Sequence, residues 1–153
     1  MSLKIDFHKT HTQVLNGIGF DNLPTYLVNK IFTDGRPFSH FAEHWLDNNY
    51  NELTHVSGCK NHDFINTYNN LIKYDEKTFT KKGCKYLPSS MIGTGRTFNK
   101  EAFESHANKL NYIIVSNVHF PTIKIKFITG SALLAKYPNG KIPYSHHDSF
   151  FGQ

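Results

Sequence analysis

The strongest apolar signal in the chain is Tyr112-Ile113-Ile114-Val115-Ser116-Asn117-Val118, a nearly continuous β-branched run that predicts a strand buried on both faces. Downstream, Ile123, Ile125 and Phe127 alternate with Lys124 and Lys126, the period-two pattern of a half-exposed strand. Helical spacing occurs twice. Phe38, Phe41, Ala42, Trp45 and Leu46 place a helix from an N-cap at Ser39 to about Asn48. Ala102, Phe103, His106, Ala107 and Leu110 mark one face of a helix over residues 101–110. Between the two helices, Asp63–Asn66 and Leu71–Phe79 are strand-like and flank the polar Thr67-Tyr68-Asn69-Asn70, which predicts a β-hairpin. Residues 53–60 precede it as a first strand.

The flanks are less regular. Leu23-Pro24 predicts the start of a short helix through Phe32, and Asp34-Gly35-Arg36-Pro37 a turn. Residues 1–12 read as a polar, irregular arm. Thr80 to Lys100 is a long stretch without regular structure, a length that usually carries function. Ser131 caps a short helix ending near Lys136, and an aromatic, polar tail follows from Lys141. No repeat or linker divides the chain, so residues 1–153 are expected to form one domain. From Ser39 the order is helix, three strands, helix, strand and a further strand. That is an α/β protein whose central mixed sheet is flanked by helices.

Composition narrows the class. At 153 residues and 39% hydrophobic content the chain can bury a substantial core. No run of about 18 apolar residues occurs, so no membrane partner is expected. No signal-peptide pattern opens the chain, and its two cysteines, Cys59 and Cys84, form no CxxC pair; an intracellular, cytoplasmic setting is expected. The net charge of +5, with ten histidines in reserve, favours a polyanionic partner, nucleic acid above all.

Candidate chemistry sits on the hairpin. Asp63 opens its first strand, and Asp75-Glu76-Lys77 lies on the second. Side chains alternate along a strand, so Asp75 and Lys77 share a face while Glu76 points to the other and offers chiefly its backbone carbonyl. Two carboxylates suit Mg²⁺, which takes hard oxygen ligands and is commonly held by one or two carboxylates plus a substrate phosphate. A lysine beside such an ion can orient the attacking water or stabilise developing negative charge. Glu43, at the edge of the apolar stripe of the preceding helix, is placed to support the ion or the lysine.

This arrangement resembles the PD-(D/E)xK nuclease superfamily, which includes most Type II restriction endonucleases and the archaeal Holliday-junction resolvases. The resemblance covers roughly residues 39–128. It implies a restriction-endonuclease-like αβββαβ core and a Mg²⁺-dependent DNA endonuclease, with Mn²⁺ able to substitute. Asp63 matches the first motif acid, Asp75 the second, Lys77 the lysine and Glu43 the acid many members carry on the first helix. The metal ligands implied are Asp63, Asp75, the Glu76 carbonyl and Glu43. His62 stands where the motif's proline would be, and Asp75 where Glu is commoner. The resemblance also gives Lys81, Lys82, Lys85 and Arg96 a role on backbone phosphates of double-stranded or branched DNA, and implies a homodimer.

Three other readings remain. A junction resolvase would use the same residues on branched DNA, and a non-catalytic DNA-binding protein would keep the fold without the chemistry. His40-Phe41-Ala42-Glu43-His44 matches the HxxEH zinc-peptidase signature on a helix, with Glu101 or Glu104 as third ligand. His146-His147-Asp148, read as an extended polar tail, would point its two imidazoles apart.

Overall fold

The computed structural model describes residues 2–17, 21–58 and 62–152. The chain begins with β1 (Thr10–Val14), α1 (Thr25–Phe32) and α2 (Gly35–Asn49). Three strands follow, β2 (Leu53–His55), β3 (Phe64–Asn66) and β4 (Asn69–Phe79), and then the two-residue β5 (Cys84–Lys85). After α3 (Lys100–Asn108) come the long strands β6 (Asn111–His119) and β7 (Thr122–Thr129). The chain closes with α4 (Gly130–Lys136), β8 (Lys141–Ile142) and α5 (His147–Phe151). The protein is therefore a mixed α/β structure, as its apolar pattern predicts.

Six strands form one mixed sheet in the order β1-β7-β6-β4-β3-β2, and β5 pairs with β8 in a small second one. Within the six, only β4 and β6 run parallel, Asp75 lying beside Tyr112 and Lys77 beside Ile114. A parallel pair needs a crossover, and α3 supplies it. β6 sits inside the sheet and is buried almost throughout. Its side chains alternate between two cores. Ile113 and Val115 join Phe38, Ala42 and Leu46 of α2, whereas Tyr112 and Ile114 join Phe103 and Ala107 of α3 and Leu133 of α4. Helices thus cover both faces of the sheet.

Four local expectations are corrected. The helix bearing Glu43 starts at Gly35, not after Ser39, because the Asp34 carboxylate accepts the Arg36 N–H at 3.1 Å and Pro37 falls in the first turn, where no amide is needed. The expected arm contributes β1, which pairs antiparallel with β7 despite lacking apolar alternation. The first strand of the core ends at His55. Lys126 is buried, not exposed, since α5 covers that face of β7. Its ammonium donates to the Phe150 carbonyl at 2.6 Å and lies 4.6 Å from the Phe150 ring centre. Cys84 is buried, and Cys59 lies outside the described residues. No described helix is long and apolar enough to cross a membrane.

Candidate active site

β3 and β4 pair only from Phe64 and Tyr74 towards the hairpin tip. Asp63 stands at the mouth of this junction, its N–H bonded to the Tyr74 carbonyl at 2.9 Å. Beyond it, β4 has lost its β3 neighbour, and the Asp63 carboxylate takes over the ladder by accepting the Glu76 N–H at 2.8 Å. Parting strands leave a cavity of about 960 Å³, which α2 bounds with Ser39 and Glu43, and α3 with Ala102 and His106. Asp63, Asp75, Glu76 and Lys77 also line it, as does Arg96.

Each side chain arrives there by its periodicity. On α2, Phe38, Ala42 and Leu46 face the core, so Ser39 and Glu43, one position on, lie along the next stripe. On β4, Asp75 and Lys77 share one face, as expected. The Lys77 ammonium is 3.3 Å from Asp75 Oδ2 and donates to the Leu87 carbonyl at 3.1 Å. Glu76 turns to the other face. It is buried, and its carboxylate accepts from Ser39 Oγ at 2.7 Å and from Thr78 Oγ1 at 3.1 Å.

Buried carboxylates resist ionisation, and crowding adds to the effect. Burial, followed by a hydrogen bond with Asp63, raises the pKa of Asp75 to about 8, and Lys77 only partly opposes this. Burial, then the charge of Asp63, raises Glu43 to about 7. Glu76 is raised to about 8, again chiefly by burial. Contacts run from Glu43 to Asp63 and from Asp63 to Asp75, so Asp63 is the hub. Tyr112, the register partner of Asp75, buries its hydroxyl without a protein partner, leaving a group for water to satisfy.

The four acid and lysine positions picked out by sequence thus line one cavity. The four basic positions divide. Arg96 lines the cavity and donates to the Ser89 carbonyl. Lys81 and Lys82 line a separate depression beside Gly35 at the start of α2, and Lys85 is exposed on β5. Other basic groups, passed over by sequence reading, border the acid cavity. A second depression shares His62, Ala102 and His106 with the acid cavity and adds Lys73 and Lys109. Lys73 was findable, since it has the same strand parity as Asp75 and Lys77. Burial, followed by the charges of Lys77 and Lys109, lowers the pKa of His106.

His40 and His44 are exposed, their rings 4.8 Å apart, whereas Glu43 turns from them towards Asp63. Glu101 is exposed and Glu104 lies 3.9 Å from Lys100. Comparison with known protein families, curated proteins and solved structures returns no match for this chain.

Proposed function

We propose that this protein is a metal-dependent DNA endonuclease with a restriction-endonuclease-like core. The observation that carries the reading is the meeting of Asp63, Asp75 and Lys77 with Glu43 where β3 parts from β4. With the two-residue β5 set aside, because it pairs with β8 outside the main sheet, the order α2-β2-β3-β4-α3-β6 is compatible with an αβββαβ core, the first acid immediately preceding β3 and the second acid and lysine lying on β4.

The donors fit Mg²⁺. All are hard oxygens, and burial together with the neighbouring Asp63 raises the pKa of Asp75 and of Glu43, so a cation arriving there would take the place of a proton. Asp63, Asp75 and the Glu76 carbonyl would hold the ion, with Glu43 in support, and Mn²⁺ would substitute. Bound there, Mg²⁺ would lower the pKa of a coordinated water and neutralise charge on the phosphoryl oxygens. Lys77 has one N–H left after its contacts with Asp75 and Leu87, which would serve the attacking water or the phosphate. Arg96 on one side, and His106, Lys109 and Lys73 along the adjoining depression, would carry the neighbouring backbone phosphates.

The test is cleavage of linear, supercoiled and four-way-junction DNA with Mg²⁺ or EDTA. Discrete products from linear DNA indicate restriction-like specificity, and junction-only cutting a resolvase. Lys77→Ala is expected to lower the Mg²⁺-dependent rate by about 10²-fold or more with DNA binding retained. Full activity in that variant sinks the assignment, and binding without any cutting by the parent protein makes it a non-catalytic DNA binder. A functional homodimer would place two such centres on one duplex.

A further inference from the structure

At the far end of β6 from the acid cavity, three metal-ligating side chains converge. His119 is the last residue of β6, and His147 and Asp148 open α5. Their ligand atoms all lie within 4.8 Å of one another, and among the described residues this is the trio that does so. The two imidazoles stand nearly perpendicular, with ring centres 5.6 Å apart. They border a depression of about 200 Å³ open to solvent beside Asp148.

We propose that His119, His147 and Asp148 bind a transition-metal ion, zinc for preference, and so fasten α5 to the β6–β7 turn. Two imidazoles and one carboxylate suit Zn²⁺ and its neighbours and not Mg²⁺, so this centre is distinct from the acid cavity in chemistry as well as place. Three protein ligands leave a fourth position for water.

His147 is built like a ligand. Its ring is buried between Phe79 and Phe151, each 5.0 Å away centre to centre, so its orientation is fixed before any ion arrives. Nε2 lies 2.6 Å from Ser116 Oγ, which also accepts the Val118 N–H at 3.2 Å. The serine hydroxyl can donate to Nε2 or accept from it. When Nε2 carries the proton, Ser116 accepts it and Nδ1 presents its lone pair towards Asp148. A hydrogen-bond partner that fixes the tautomer in this way is the usual companion of a metal-bound histidine.

Nδ1 and Asp148 Oδ1 are 2.9 Å apart, the gap a proton fills when no ion is bound. Adjacent ligands at about 2.0–2.1 Å from a tetrahedral ion stand about 3.3 Å apart, so a small rotation admits the cation. The proton then leaves Nδ1 and Nε2 gains one, with no net release. His119 and Asp148 are exposed and free to adjust, whereas His147 stays put.

The experiment uses the full chain with Co²⁺ as spectroscopic probe and Zn²⁺ for calorimetry and thermal melting. With excess Mg²⁺ present to occupy the acid cavity, one equivalent should bind with the visible bands of a low-coordinate nitrogen–oxygen site, and Zn²⁺ should raise the melting temperature. His119→Ala and Asp148→Ala, both at exposed positions, should each weaken binding at least about 10-fold and remove that rise, while Asp63→Asn leaves both intact. No stoichiometric binding, binding unchanged in His119→Ala, or binding lost only in Asp63→Asn would each overturn the proposal.

Discussion

Replacing Asp75 by asparagine is expected to make the metal-free protein more stable, and increasingly so as the pH rises. In the folded state the Asp75 pKa moves from 3.8 to about 8, first through burial and then through Asp63. The folded chain therefore holds this proton more tightly than the unfolded one. Stability from this group is complete below pH 3.8, declines as the pH rises towards 8, and is level above that. The displacement sets a ceiling of ~6 kcal/mol. Residual exposure and the ammonium of Lys77 3.3 Å away reduce it, and a realistic gain at pH 8 is about 1–3 kcal/mol. For a chain of this size each kcal/mol moves the melting temperature by about 2–4 °C. Thermal and urea unfolding of the parent and Asp75→Asn, from pH 4 to pH 9 in EDTA, measures the difference. Adding Mg²⁺ at pH 8 should then stabilise the parent and not the variant, because an ion bound only to the folded state adds its binding energy to stability. A variant that is less stable than the parent at pH 8, or whose effect is equal at pH 4 and pH 8, refutes the crowded-carboxylate account.

Two further outcomes test the nucleic-acid path and the packing. Lys73→Gln and Lys109→Gln should each weaken DNA binding and reduce the slope of log affinity against log salt by about 1, while Lys81→Gln and Lys82→Gln leave it nearly unchanged; the reverse ranking would move the path to the loop after β4. Gly130→Ala should cost about 3 kcal/mol in denaturant unfolding, since a Cβ there would lie 1.7 Å from the Ala107 carbonyl oxygen and 2.6 Å from that of Leu110; a near-native midpoint would mean that α3 and α4 pack differently.

What the sequence revealed depended on how local the cause was. β6 was legible because burial on both faces forces a continuous apolar run, and Asp75 with Lys77 because strand parity is fixed by the pleat. The start of α2 was misread because Asp-Gly-Arg-Pro carries turn chemistry, and a cap at Asp34 with proline in the first turn uses the same residues. Long-range causes were invisible. β1 is defined by its pairing with β7, Lys126 is buried by a helix from the end of the chain, and His147 acquires meaning only when that helix meets Ser116 and His119. The split of the basic residues has the same origin: nothing local in Lys81 or Lys82 shows that the strand end carries them past α2, away from the acids.

The electrostatics of the β3–β4 junction are hard to explain as a stability device. Glu43, Asp63, Asp75 and Glu76 line one cavity, where the Lys77 ammonium pairs with Asp75. Hydroxyls of Ser39 and Thr78 steady Glu76, but they carry no charge. A buried network kept for structure would be expected to balance its charges, because an uncompensated buried charge destabilises strongly and apolar replacements of similar volume are often more stable. Here the imbalance is met by protons, held at Asp75 and Glu43 above their ordinary range. Protons are exchangeable for a cation at neutral pH, and the basic groups around the rim would draw in an anion to complete the charge balance. A divalent ion with a phosphodiester meets both demands at once, which is why the hydrolytic reading is preferred to a DNA-binding surface that merely retains the same residues.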